Sequence, residues 1–456
     1  MAMNKGRAQT TASPRFKLYP KYKDSGVEWL GEVPGHWKIR KTTWLFAIGS
    51  GTTPPSEDLA YYGGDIPWVT TSELRESVVV TTEKSVTKEA LRDLPSLRLH
   101  PKGSVAVAMY GATIGRLGIL GTDATVNQAC CVFSMPKGID AAFWFFWLQM
   151  RRPYLISLGY GGGQPNLSQE LLRSVRVPTP PEEEQRAIVA FLDRETAKID
   201  ALVAKKERLI ELLQEKRTVF ITGAVTKGLD PTVRMKYSGV EWLGEIPAHW
   251  GTSFMDKLVD PLRRITYGIV QPGEPDPDGI FMVRGQNYSR GWSSSEDVFR
   301  VSRDIEAPYK RARLKQGDIV MTIVGAGTGN IAIVPDWLEG ANLTQTTARI
   351  ALDPRKANNR YFSYQLQSVV GTVSVELTVK GAAQPGLNLG HIAKYRVVLP
   401  PIQEQKAIAD FLDRETSTFD ALTERVLGAI DRLKELRTAL ISGAVTGKID
   451  VRGEVV

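Results

Sequence analysis

The stretch SGVEWLGEVPGHW starts at Ser25 and SGVEWLGEIPAHW starts at Ser238, so the chain writes one phrase twice, about half its length apart. An internal repeat constrains a fold more than any single motif, because each copy must build the same supersecondary unit. Here the phrase only begins a longer unit. PPEEEQRAIVAFLDRET from Pro180 returns as PPIQEQKAIADFLDRET from Pro400, and GAVTKGLD from Gly223 returns as GAVTGKID from Gly443. The two later matches share an offset of 220 residues whereas the opening phrase has 213, so the second copy holds seven more residues in its middle. Each half is a matched opening, a divergent middle and a matched tail.

The tails read as long helices. Pro181 fits the first helical position, and Glu182, Glu183 and Glu184 favour the positive end of the helix dipole. Gly223 is expected to stop the first helix, with Lys216 and Arg217 in its last turn. Alternating steps of four and three give the seam Ile188, Leu192, Glu195, Ile199, Leu202, Lys206, Leu209, Leu213, Lys216 and Phe220. Adding 220 gives Ile408, Leu412, Glu415, Phe419, Leu422, Val426, Ala429, Leu433, Leu436 and Leu440. A register kept over four heptads predicts two coiled-coil helices. At roughly 60 Å each, they are expected to pack on one another, antiparallel.

The middles are β-branched and punctuated by glycine. IPWVTT from Ile66, GSVAVAMYGATIGRLGIL from Gly103 and GDIVMTIVGAGTGNIAIV from Gly317 predict strands and tight turns, and AAFWFFWLQMRR from Ala141 predicts a helix. The fold class expected is α+β: two tandem α/β domains, separated and followed by long antiparallel coiled-coil helices in a pseudo-twofold repeat. Residues 1–16 read as a flexible lead, 17–180 as the first domain and 181–234 as the central helix with its linker. Residues 235–400 read as the second domain and 401–456 as the C-terminal helix and tail.

Composition narrows the function classes. With 42% hydrophobic and 24% charged residues the chain reads as a soluble globular protein, and its net charge of +8 suits an anionic partner. No apolar run approaches the ~20 residues of a bilayer span, and the polar, basic start has no apolar core of a secretory signal. The two cysteines, Cys130 and Cys131, are adjacent in an apolar stretch, which suits buried reduced thiols and a cytoplasmic location.

Catalytic constellations are missing from the sequence. Four histidines (His36, His100, His249 and His391) are scattered without metal-ligand spacing. The string GAVTGK from Gly443 is one residue short of a phosphate-binding loop and lies at a helix end. GAGTGN from Gly325 has glycines that can offer amides to a phosphate, but it also fits a plain turn between strands. Glu404–Gln405–Lys406 resembles a nuclease E-x-K only superficially, since it sits in the first turns of a helix.

Taken together, the GVEWLGEVPGHW and GVEWLGEIPAHW openings, YGATIGR from Tyr110, GGGQPNLS from Gly161, GAAQPGLNL from Gly381 and the two FLDRET tails form a specific pattern. In this order and duplicated, they resemble the specificity subunit of type I restriction–modification enzymes, over essentially the whole chain after about residue 17. The resemblance implies a bacterial or archaeal DNA-reading adaptor without an active site of its own. Two target recognition domains each read half of a split, asymmetric site in double-stranded DNA. The helices set the spacer and dock two methyltransferase (modification) subunits, and restriction/translocase subunits join that core. No cofactor is expected on this chain; S-adenosylmethionine, ATP and Mg belong to the partner subunits. Alternatives are a methylation-only complex, a coiled-coil scaffold that never touches DNA, and an enzyme of unfamiliar sequence.

Base readout needs directed donors and acceptors in groove-entering loops, whereas phosphate contacts add affinity without sequence information. In the first middle those are Thr70, Thr71 and Ser72 after a strand, then Tyr110, Thr113 and Arg116 in the GATIG loop, and Gln164 with Asn166. In the second they are Arg284, Gln286, Asn287, Tyr288 and Arg290 of VRGQNYSR, then Thr328, Asn330 and Gln384. For partner docking the retained tail residues stand out: Glu184, Gln185, Phe191, Leu192, Asp193 and Arg194, recurring as Glu404, Gln405, Phe411, Leu412, Asp413 and Arg414. The opening phrase, unchanged while the middles diverge, reads as a fixed mount that carries no sequence preference.

Overall fold

The repeated phrase folds as one loop built twice. Gly26 and Gly31 adopt φ of +66° and +64°, and Gly239 and Gly244 adopt +79° and +67°, a left-handed backbone that glycine enters without strain. Ser25 N donates to Gly31 O and Gly31 N to Val27 O; Ser238 N to Gly244 O and Gly244 N to Val240 O repeat the pattern. The spelling SGVEWLGE is therefore held by backbone geometry. The computed structural model describes residues 16–158, 166–289, 291–325, 327–379 and 386–454. They pack as two units: the first takes the residues up to Lys205 with those from Ala429 on, and the second is Lys206–Gly428.

In the first unit, five strands form a sheet in the order Ala47–Ser50, Cys130–Ser134, Val105–Ala108, Leu117–Leu120, Ser77–Val79. All pairs are antiparallel except the last. Its apolar face packs on the helix Ala141–Ser157, where Trp144 stacks on Trp147 at 5.0 Å and meets Phe133 edge-on at 4.9 Å. The second unit has four strands in the corresponding order: Thr266–Tyr267, Thr347–Ile350, Ile319–Thr322, Ile331–Ile333. A second small sheet accompanies each. Tyr62–Val69 pairs in parallel with Thr125–Val126, as Ile280–Val283 does with Asn342–Leu343. Beside it the backbones approach so closely that a Cβ on Gly51 would lie 1.6 Å from Val126 O, and one on Gly268 1.9 Å from Leu343 O.

Both long helices form, as Glu182–Lys227 and Ile402–Val445. Two expectations about them are corrected. Gly223 and Gly443 are helical; the left-handed stops are Gly228 (φ +79°) and Gly447 (φ +71°), because each GAVT string carries two glycines and the second takes the cap. The seam also takes a different alternate position. The inward residues run Ile199, Val203, Lys206, Ile210, Leu213, Arg217, Phe220 in the first helix. In the second they run Leu412, Thr416, Phe419, Thr423, Val426, Ile430, Leu433, Arg437, Leu440. Leu202, Leu209, Leu422 and Leu436, placed on the seam from spacing alone, are exposed. Neighbouring apolar pairs such as Leu202–Val203 and Leu209–Ile210 allow either stripe, and packing chose.

Within each unit the two helical segments run antiparallel. Asp200 accepts from Arg437 at 2.9 Å in the first unit, and Arg217 faces Asp420 at 3.6 Å in the second, the same pair by the repeat. The rings of Phe220 and Phe411 meet tilted, with centroids 5.5 Å apart. The tail after the second helix closes the first unit: Asp450 N donates to Lys17 O, Lys448 Nζ to Glu32 O, and Gly447 lies against Pro34 and Trp37. Gly228 lies against Pro247 and Trp250 in the second unit in the same way.

Candidate nucleic-acid interface

The start of each long helix is clamped to its own domain by a matched set of side chains. Trp37 Nε1 donates to Glu184 Oε1 at 2.9 Å and His36 Nε2 lies 2.7 Å from Oε2; Trp250 and His249 repeat this on Glu404, both at 2.8 Å. Gln185, fully buried, accepts from Asp140 N and donates to Gly138 O and Pro180 O. Gln405 does the same with Asn358 N, Lys356 O and Pro400 O. Burial first, then Glu184, pushes the Tyr19 phenol above its usual range.

These contacts correct the docking assignment for most of the tail residues. Glu184, Gln185, Phe191, Leu192, Gln405 and Leu412 are buried in the chain's own core, so their retention serves the clamp and presents nothing to a partner. Glu404 also bonds within the clamp while 41% exposed, Phe411 lies tilted against Phe220, and Asp413, 40% exposed, accepts from Arg360 and from Tyr364 Oη at 2.7 Å. Asp193 and Arg414 are exposed, and Arg194 is half-buried with its guanidinium 5.6 Å from the Phe191 ring.

The turns expected to read DNA sit where the parallel strand pair ends. Thr70 N donates to Glu73 Oε2 at 2.6 Å, and Glu73 N donates back to Thr70 O. Arg284 N donates to Asn287 Oδ1 at 2.9 Å, and Asn287 N back to Arg284 O. Thr70, Thr71 and Ser72 thus occupy the same places as Arg284, Gly285 and Gln286, while Glu73 and Leu74 match Asn287 and Tyr288. Asn287 and Tyr288 are therefore corrected: both are buried, one capping the turn and the other bonding Thr322 Oγ1 at 2.8 Å. Arg284 is half-buried, and Ser72 and Gln286 are exposed.

A second turn lies beside the first. In GATIG, Ile114 N donates to Gly111 O and Arg116 N to Thr113 O; in GAGTG, Thr328 N donates to Gly325 O and Asn330 N to Gly327 O. The amides of Thr328, Gly329 and Asn330 are thus used inside the hairpin. Tyr110 and Asn330 are exposed, and Thr113, Arg116 and Thr328 are half-buried. Asn166 is exposed, next to Leu167 whose N donates to Met109 O at the hairpin base. Tyr288, Thr328 and Asn330 line one cavity of about 420 Å³ with Arg217 and Gln367. Its counterpart is filled: Gly115 packs against Ile156 and Arg152, and Arg152 pairs with Glu76 at 2.8 Å. Gln164, Arg290 and Gln384 lie outside the described residues. Sequence reading missed Gln128 and Gln345, both exposed, each two residues past a parallel strand. The matching VNQ and LTQ strings were the available signal.

Among the described residues no group of three or more His, Cys, Asp or Glu is placed to hold a metal ion, and no helix is long and apolar enough to cross a membrane. Two α+β units, each with its own pair of helical segments and polar turns at one strand end, define a duplicated protein. The family model described as the type I restriction modification DNA specificity domain matches residues 34–212 and 279–432, and the chain belongs to that family. It is a specificity subunit of type I restriction–modification systems, in a family of recognition subunits. The type I restriction enzyme EcoBI specificity subunit of Escherichia coli is 28% identical over 62% of this chain, a match that spans 60% of that relative's length. The MjaVIII specificity subunit of Methanocaldococcus jannaschii is 24% identical over 92% of this chain and 94% of its own. A solved chain from work on complex assembly and conformational transition of the type I R-M system shares the fold, with a TM-score of 0.66 at 15% identity over 93% of this chain and 99% of its own.

Proposed function

We propose that the two units read the two halves of a bipartite, asymmetric site in double-stranded DNA, and that the chain performs no chemistry itself. One observation supports this most: the same capped turn ends the same strand in both units, yet its residues differ, half-buried Thr70 and exposed Ser72 against half-buried Arg284 and exposed Gln286. A shared frame with divergent tips is what two different half-sites require, and one chain imitates a dimer without its symmetry. Two methyltransferase subunits dock on the helices, restriction/translocase subunits join them, and S-adenosylmethionine, ATP and Mg stay with those partners in the cytoplasm. The helices set the spacer, so adding or deleting residues within 199–213 changes the spacer and leaves both half-sequences alone.

The test is methylation mapping by long-read sequencing of cells making this chain with its modification subunit. A two-part motif with modified adenines on opposite strands is expected. A continuous motif overturns the half-site reading, and activity of the purified chain alone on DNA with S-adenosylmethionine, ATP and Mg overturns the adaptor reading. Binding by the complex should also weaken as log K falls with log salt.

A further inference from the structure

The turn of the second unit holds one side chain fixed in place and a second exposed beside it. Met282 N donates to Phe299 O at 2.8 Å, which fixes Phe299 beside the end of the strand Ile280–Val283. The Arg284 guanidinium lies over that ring, 4.2 Å from its centroid, while Asn287 holds the Arg284 backbone. A planar fork stacked on an aromatic face loses little further freedom on meeting its target. Gln286, two residues on, is exposed on the rim of the same cavity of about 500 Å³. Asp276, Glu296 and Asp297 also line it. Carboxylates there repel phosphate, which favours a base edge over the DNA backbone as the target of Arg284, and they can accept from a cytosine amino group. Arginine pairs in bidentate fashion with guanine O6 and N7, and glutamine with adenine N6 and N7. The first unit places two hydroxyls, Thr70 and Ser72, at the same positions, and hydroxyls discriminate less.

We propose that Arg284 and Gln286 are the specificity-determining pair of the second unit, Arg284 taking a guanine and Gln286 an adenine of one half-site, with Phe299 as the residue that positions Arg284. The assignment rests on the DNA-reading function proposed above. It is tested with the full chain in complex with its modification subunit, on DNA libraries randomised in one half-site at a time. Arg284→Ala is expected to lower affinity for the cognate site about 10- to 100-fold and to relax a single guanine position, with the other half unchanged. Gln286→Ala relaxes one adenine position. Phe299→Ala relaxes the same guanine position, adds nothing to Arg284→Ala, and Phe299→Tyr restores it; a merely structural Phe299 would weaken the complex without changing the motif. A uniform loss on all sequences with a shallower salt slope makes Arg284 a phosphate contact and overturns the assignment, as does an unchanged motif. If the unaltered complex prefers no sequence in either half, the DNA-reading function itself falls.

Discussion

The two units are best understood against each other. They agree atom for atom in the clamp, in the phrase loop and in the turn bonding, and they differ at solvent-facing tips and in how tightly the clamp is covered. Glu184 is 5% exposed under Tyr19 and the C-terminal tail, whereas Glu404, bonded by the same Trp and His, is 41% exposed. The cavity behind the second hairpin is open, and its counterpart is closed by the Arg152–Glu76 pair. The difference teaches that the clamp residues this chain retains are mostly buried and bonded, whereas exposed Asp193 and Arg414 are retained without such a role. Retention of the clamp is thus a record of framework, and the turns diverge on it.

Removing the buried tryptophans tests whether each clamp serves its own unit. Trp37→Ala and Trp250→Ala should each cost about 3–5 kcal/mol, read by denaturant unfolding. The cysteines make the two distinguishable, because both lie in the first unit and burial pushes both thiols up to about 12. They are neutral near pH 8 and react slowly with alkylating reagents. Trp37→Ala should speed their labelling and Trp250→Ala should not; equal acceleration would show that the units open together. Gln185→Ala and Gln405→Ala should cost about 2 kcal/mol each, by leaving a backbone N–H and two carbonyls unpaired. Unequal losses would break the equivalence of the clamps.

A smaller effect separates the units. Glu184→Ala should cost about 2–3 kcal/mol and Glu404→Ala about 1 kcal/mol, since water can reach the partners left behind in the second case. Equal values in thermal unfolding would mean the tail does not seal the first clamp. Smallest are the two ion pairs between the helices, whose acidic partners Asp200 and Asp420 are exposed: Arg437→Ala and Arg217→Ala should each change stability by less than about 1 kcal/mol and lose even that in high salt.

Sequence alone determined the repeat, the α+β class, the two long helices and the strand-and-turn middles. These follow from local rules: glycine at left-handed positions in SGVEWLGE, β-branched runs between glycines, and apolar residues at helical spacing. It also located the polar turns that end the strands, because polar residues right after a buried strand must sit at the sheet's end. What it could not resolve was the direction in which each side chain looks. Asn287 and Gln286 are adjacent and both suit a base, yet one caps the turn and the other meets water. Glu184 and Gln185 looked like a docking motif because they recur, and the fold uses both inside. Leu202 and Val203 are both apolar, and only the helix packed alongside decided which of them turned inward. A side chain's burial depends on what packs over it from distant parts of the chain, and no local pattern carries that information.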